Sequence, residues 1–169
     1  SKSASDGLID ATLEASGTTL GGTGLIDLDA NLWSDTQSAA ACAASALTAA
    51  DCLVIGASAG TEGIRVTDTK AHALGAFNPV GIAIVDGATN AGANFALNSG
   101  STWFNPGGTN QFGGATNVLD KPGLFFYDLA YNAADKTERL IGVPKAAAFE
   151  FATAGGAAND LWYATTQTW

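Results

Sequence analysis

The chain contains no methionine, a single histidine (His72), two cysteines and four prolines among 169 residues. One His with Cys42 and Cys52 cannot supply the four ligands of an ordinary structural zinc site. Charge is sparse as well, at 14% of residues, and 7 Lys and Arg against 16 Asp and Glu leave a net charge of −9. Such a surface repels phosphate backbones and anionic headgroups at long range, which argues against nucleic-acid and membrane-surface binding. No apolar run approaches the roughly eighteen residues of a membrane-spanning helix; the longest weakly polar stretch, 39–50, is alanine-rich and short. Clusters of titratable groups, which most active sites use, are missing too. The expectation is therefore a non-enzymatic protein without a cofactor. The lack of methionine fits either cleavage of a leader or removal of an initiator before Ser1, and the second is the expectation.

Apolar residues make up 47% of the chain, too many for a disordered tail, and the length suits one domain. Residues 1–23, rich in Ser, Gly, Thr and Ala, read as a flexible N-terminal arm with apolar islands at Leu8, Ile9 and Leu13. Residues 24–169 read as a single β-rich domain. The segment Leu25-Ile26-Asp27-Leu28-Asp29 has the period-two pattern of a half-buried strand. Dense alanine behind a capping residue predicts one helix over 35–50. Beyond it, short β-branched or aromatic runs separated by Gly, Asn, Asp and Pro predict strands at 53–56, 63–67, 80–85, 94–97, 102–104, 123–131, 139–143, 147–152 and 161–168. The loops 86–93 and 105–117 are long for simple hairpins. The expected fold is mostly β, sandwich or barrel-like, with one short Ala-rich helix and an extended N-terminal arm.

Several short patterns invite a chemical reading. Gly56-Ala57-Ser58-Ala59-Gly60 has the spacing of a nucleophile elbow, but the residues after it read as a turn and a strand where an elbow needs a helix. Asp27, Asp29 and Asn31 have the opening spacing of a calcium loop, but Leu32 stands where that loop needs Gly and Ser38 where it needs Glu. A looser calcium site and the polar face of an edge strand both fit the triplet. Cys42 and Cys52 fit either a short disulfide loop or two small buried apolar groups. Trp33, Trp103, Trp162 and Trp169 fit either a core or a sugar-stacking surface.

The stretch Ala73-Leu74-Gly75-Ala76-Phe77-Asn78-Pro79-Val80-Gly81-Ile82-Ala83-Ile84-Val85-Asp86-Gly87-Ala88-Thr89, with Phe95-Ala96-Leu97-Asn98-Ser99-Gly100-Ser101-Thr102-Trp103-Phe104, resembles the central part of lambda-type head-decoration proteins. The resemblance covers about thirty positions, and the loop 105–117 and the C-terminal strands have no counterpart in it. It implies a β-rich homotrimer on a virion, clamping coat subunits with its N-terminal arm. On that reading Leu8, Ile9 and Leu13 dock on a neighbour, Trp103 and Phe104 anchor a subunit interface, and 105–117 face outward or toward the major coat protein. The alternative is a secreted, extracellular β-sandwich adhesin or carbohydrate-binding module, for which a Cys42–Cys52 disulfide and an exposed aromatic strip are expected.

Overall fold

Strands make up most of the computed structural model of this chain, which describes residues 2–3, 6–87, 95–109 and 115–146. In order these are β1 (Lys2–Ser3), β2 (Thr12–Gly22), β3 (Leu25–Ala30), α1 (Ala39–Ala43), β4 (Cys52–Gly60), β5 (Glu62–Asp68), β6 (Asn78–Asp86), β7 (Phe95–Leu97), β8 (Phe104–Thr109), β9 (Ala115–Leu119), β10 (Phe125–Asn132) and β11 (Thr137–Pro144). The protein is mostly β with one short helix. The expected strands at 147–152 and 161–168 lie outside the described residues.

One sheet has four strands in the order β1-β3-β5-β7, and the other has seven in the order β2-β4-β6-β11-β10-β9-β8. All four strands of the smaller sheet run parallel, as do β2, β4 and β6 in the larger. From β2 to β7 the chain alternates between sheets, so each strand serves as the crossover joining two parallel neighbours in the opposite layer. The remaining strands return as an antiparallel meander whose last member, β11, pairs with β6.

Ile26, Leu28, Ile64, Val66, Phe95 and Leu97 of the smaller sheet meet Leu53, Ile55, Ile82, Ile84, Tyr127 and Leu140 of the larger in one buried core. This two-layer, sandwich-like packing explains the alternating burial of β5, in which every second residue is buried. Strand β6 departs from alternation, because Ile82 through Val85 are all buried. Its inner face fills the core, while Ala83 on the other side joins a smaller cluster with Cys42 and Cys52 beside α1.

The helix expected over 35–50 shortens to the five residues of α1. Ser38 caps it, its hydroxyl accepting from the Ala41 N–H at 3.2 Å, and Ser45 at φ 52° ends it. The cause is the buried carboxamide of Gln37. Its Oε1 accepts from the N–H groups of Thr48, Ala49 and Ala50 at 2.9, 3.1 and 3.2 Å. Its Nε2 donates to the carbonyls of Ala50 and Ala83 at 2.8 and 2.9 Å. Helix propensity is worth only a few tenths of a kcal/mol per residue, so these buried partners prevail. A Cys42–Cys52 disulfide then ties α1 to the start of β4.

Within the segment expected as an arm, Thr12–Gly22 form β2, registered against β4 from Thr12↔Cys52 to Gly22↔Gly60. Ahead of it, Asp29 accepts from the N–H groups of Asp6 and Gly7 at 2.8 and 2.6 Å. Asp51 Oδ1 accepts from those of Asp10 and Ala11 at 3.1 and 3.0 Å. Burial pushes the Asp51 carboxyl above its usual range; these bonds offset part of the shift, and the nearby Asp29 charge adds to it. Asp27 pairs with Arg65 across β3 and β5 at 2.6 Å, and Asn31 donates to Asp35. The three residues spaced like a calcium loop thus turn to three different partners.

Reducing the Cys42–Cys52 bond is expected to lower stability by about 2–3 kcal/mol, the loop-closure scale of a short ring. Urea unfolding with and without reductant measures the loss, and the native mass should be two hydrogens below that of the dithiol. A native mass equal to that of the dithiol would contradict the bridge.

Candidate functional site

Among the described residues, Leu8, Trp33, Leu74, Phe77, Val80 and Leu124 are the large apolar side chains left exposed. Leu74, Phe77 and Leu124 belong to one end of the molecule, where the loops after β5 and before β10 meet; Trp33 is on the loop after β3 that Tyr127 ties to it, and Val80 lies in β6. Leu74 and Phe77 are 64% and 56% exposed, a high fraction for side chains of that size in a folded domain.

What holds these loops is a buried ion pair at the end of β5. Lys121 Nζ lies 2.7 Å from Asp68 Oδ2, and both side chains are fully inaccessible to water. The ammonium also donates to the carbonyls of Leu32 and Lys70 at 2.8 and 2.9 Å. Asp68 Oδ1 accepts from the N–H groups of the same two residues at 3.3 and 3.0 Å. Trp103 Nε1 donates to Asp68 Oδ2 at 3.0 Å. All three ammonium protons and both carboxylate oxygens are thereby engaged, the condition under which a buried pair is tolerated.

Further bonds close the corner. Tyr127 Oη donates to the Trp33 carbonyl at 3.0 Å and accepts from Ala76 N–H at 3.1 Å. Burial raises the Tyr127 phenol above its ordinary value and the Asp68 and Asp35 charges add to that, so it stays a neutral donor at physiological pH. Asn78 Nδ2 donates to the Asp35 carbonyl at 2.7 Å. Gly75 N–H donates to the Pro122 carbonyl at 2.9 Å. Glycine suits that approach, because a Cβ there would stand a tight 3.1 Å from the Phe125 carbonyl oxygen. Phe77 leans on Phe125 with ring centroids 6.1 Å apart. On the 120–124 loop, burial alone would raise the Asp120 carboxyl, but bonds from Lys145 and Asn105 outweigh it and hold the group below its usual range.

The chemistry open to this face follows from what it has already used. Polar groups at Leu32, Trp33, Lys70, Gly75, Ala76 and Asn78 bond inward, leaving Trp33, Leu74, Phe77 and Leu124 exposed on loops that also expose Ser34, Lys70 and His72. The face suits another apolar protein surface. Two open clefts among the described residues are lined by Phe95, Leu97, Asn117, Asp128, Leu129 and Glu138 and by Leu20, Leu25, Ile26, Leu53 and Glu62. Neither lining holds a serine, cysteine, lysine or histidine.

Comparisons of the chain with protein-family models, with curated proteins and with solved structures find no match. The functional reading therefore rests on this chain's own geometry.

Of the residues singled out from sequence, Leu8 is exposed at 59% and Ile9 half-buried, both in the segment held by Asp29 and Asp51. Leu13 in β2, Trp103 and Phe104 are half-buried and packed against the main core. Residues 105–109 and 115–117 belong to the β8–β9 hairpin. Ser58 is buried within β4, which turns through Gly60 at φ 90° straight into β5, so no helix follows it. His72 stands exposed on the turn after β5. Leu74, Phe77, Val80 and Leu124 were not selected as contact residues. Their signal is apolar side chains set among Gly75, Pro79, Pro122 and Gly123.

Replacing Lys121 by Met keeps the side chain's bulk but strands the Asp68 charge. The loss should be about 3–5 kcal/mol in urea unfolding. A loss below about 1 kcal/mol would show that the pair does not hold the corner.

Proposed function

We propose that this chain is a non-enzymatic structural protein acting by protein–protein contact, a capsid decoration or cement component that binds a virion coat lattice as a homotrimer. The observation that carries the reading is the apolar corner of Leu74, Phe77 and Leu124, with Trp33 on the adjoining loop, on an acidic protein. Fully burying each such side chain is worth about 1.5–3 kcal/mol. A few of them at the centre of a contact are enough for a hot spot, ringed by polar groups that exclude water. Leu8, on the segment anchored by Asp29 and Asp51, offers a second apolar contact. A disulfide persists in oxidising surroundings, and these include virion and cell surfaces.

The disulfide also favours a second reading, a secreted β-sandwich adhesin or carbohydrate-binding module. A sugar platform needs a flat ring framed by outward hydrogen-bonding groups. Around Phe77 the nearby backbone groups bond inward and the exposed large side chains are Leu74 and Leu124, which favours a protein partner.

Light scattering over a wide concentration range separates the two. The cement reading expects a stable trimer that Leu74→Ser/Phe77→Ser weakens at least tenfold, with unfolding free energy changed by no more than about 0.5 kcal/mol, as for other surface sites. A wild-type monomer at every concentration that is retained on a glycan array would overturn it in favour of the secreted module.

A further inference from the structure

We infer that the cleft beside the turn from β2 to β3 binds a small primary alkylammonium ion, with its charged head on the Glu62 carboxylate and its apolar body among Leu20, Leu25, Ile26 and Leu53. The site lies at the other end of β5 from the apolar corner and does not rest on the protein-contact reading.

Strand β5 alternates strictly. Its buried residues are Glu62, Ile64, Val66 and Asp68, so one inward row of side chains begins and ends on a carboxylate. At the Asp68 end the charge is answered by the Lys121 ammonium, and the Trp103 indole and two backbone N–H groups complete its bonding. At the other end Glu62 is 3% exposed, yet among the described residues no hydrogen bond or ion pair reaches its carboxylate. The backbone donors on either side of it are already used. Thr61 N–H donates to the Gly22 carbonyl at 3.1 Å and Gly63 N–H to the Gly24 carbonyl at 2.8 Å. Taking a carboxylate out of water is costly unless a cation or a donor compensates it, so this end of the row is built for a partner that the chain does not supply.

There is room for one. Glu62 lines an open cleft of about 330 Å³, in the size range of small-ligand sites. Glycine keeps the space beside the acid clear, because a Cβ on Gly24 would stand 2.5 Å from Glu62 Oε2.

The lining selects the ligand. An ionised carboxylate only accepts, so the ligand must donate. A bare metal ion needs several oxygen ligands, and Glu62 is the one polar side chain among the described lining residues. A quaternary ammonium has no N–H to give and favours aromatic cages, whereas these walls are aliphatic. A primary alkylammonium brings N–H donors on an aliphatic body, which is what Lys121 brings to Asp68.

Heteronuclear NMR at neutral pH and constant ionic strength tests this on the full chain with three probes. n-Butylammonium chloride carries both charge and chain, 1-butanol the chain alone and ammonium chloride the charge alone. Butylammonium should shift the amide signals of Gly21, Gly24, Leu25, Ile26, Leu53, Glu62 and Gly63 saturably and bind at least tenfold more tightly than either of the others. Glu62→Gln keeps the side chain's shape without its charge and should weaken butylammonium at least tenfold while leaving the response to butanol unchanged. The comparison of probes on wild-type protein needs no substitution, so it decides even if the variant folds poorly. Equal affinity for butanol would show that the carboxylate takes no part, and equal affinity for ammonium would show general attraction to an acidic protein. Either result overturns the site, as do shifts confined to residues away from the cleft or unchanged butylammonium binding by a folded Glu62→Gln variant.

Discussion

The buried pair of Asp68 and Lys121 is the constraint on which the functional end of this molecule depends. Neither charge could enter the interior alone, since removing one partner of such a pair costs several kcal/mol. Together they use the N–H and the carbonyl of both Leu32 and Lys70, so two loops far apart in sequence are gripped by the same two side chains. Trp103 adds its indole N–H to the carboxylate, which draws the turn before β8 into the same knot.

This arrangement accounts for the exposed apolar face. Loops at the end of a sheet ordinarily present polar backbone to water, and their apolar residues fold inward. Here the polar groups are consumed internally by Asp68, Lys121, Tyr127 and Asn78, and Leu74, Phe77 and Leu124 remain outside. The exposure is thus built by internal hydrogen bonding and does not reflect a shortage of core, since the main core is closed by residues of both sheets. Gln37 plays a comparable part near α1, where one carboxamide organises five backbone groups.

The strands were largely legible, because alternation in β5 and the apolar run of β6 report directly on which faces are covered; β3 was expected to be half-buried, but it lies between β1 and β5 and buries its Asp27 and Asp29 face as well. Their connectivity was not. Nothing in the residues of β2 to β7 distinguishes a hairpin from a chain that alternates between two layers, since both bury the same alternate side chains. The helix was overestimated because alanine propensity is visible in sequence and the long-range reach of Gln37 is not. Glycine and serine suggested an arm where Thr12–Gly22 form a strand, because the partner that orders them, β4, begins thirty residues later. Trp103 and Phe104 pack half-buried on the core, and the bond from Trp103 to Asp68 joins two residues that sequence does not bring near. The apolar corner stayed hidden for the same reason: its members become neighbours only once Asp68 and Lys121 have joined their loops.

The central claim is that one ion pair holds three loops as a unit. Hydrogen exchange on wild-type protein and on Lys121→Met tests it most directly, because exchange reports local opening separately from global unfolding. The account predicts that residues 31–35, 69–77 and 120–124 lose protection together in the variant, while β3, β4 and β5 keep theirs relative to global stability. Faster exchange confined to residues next to position 121 would contradict it.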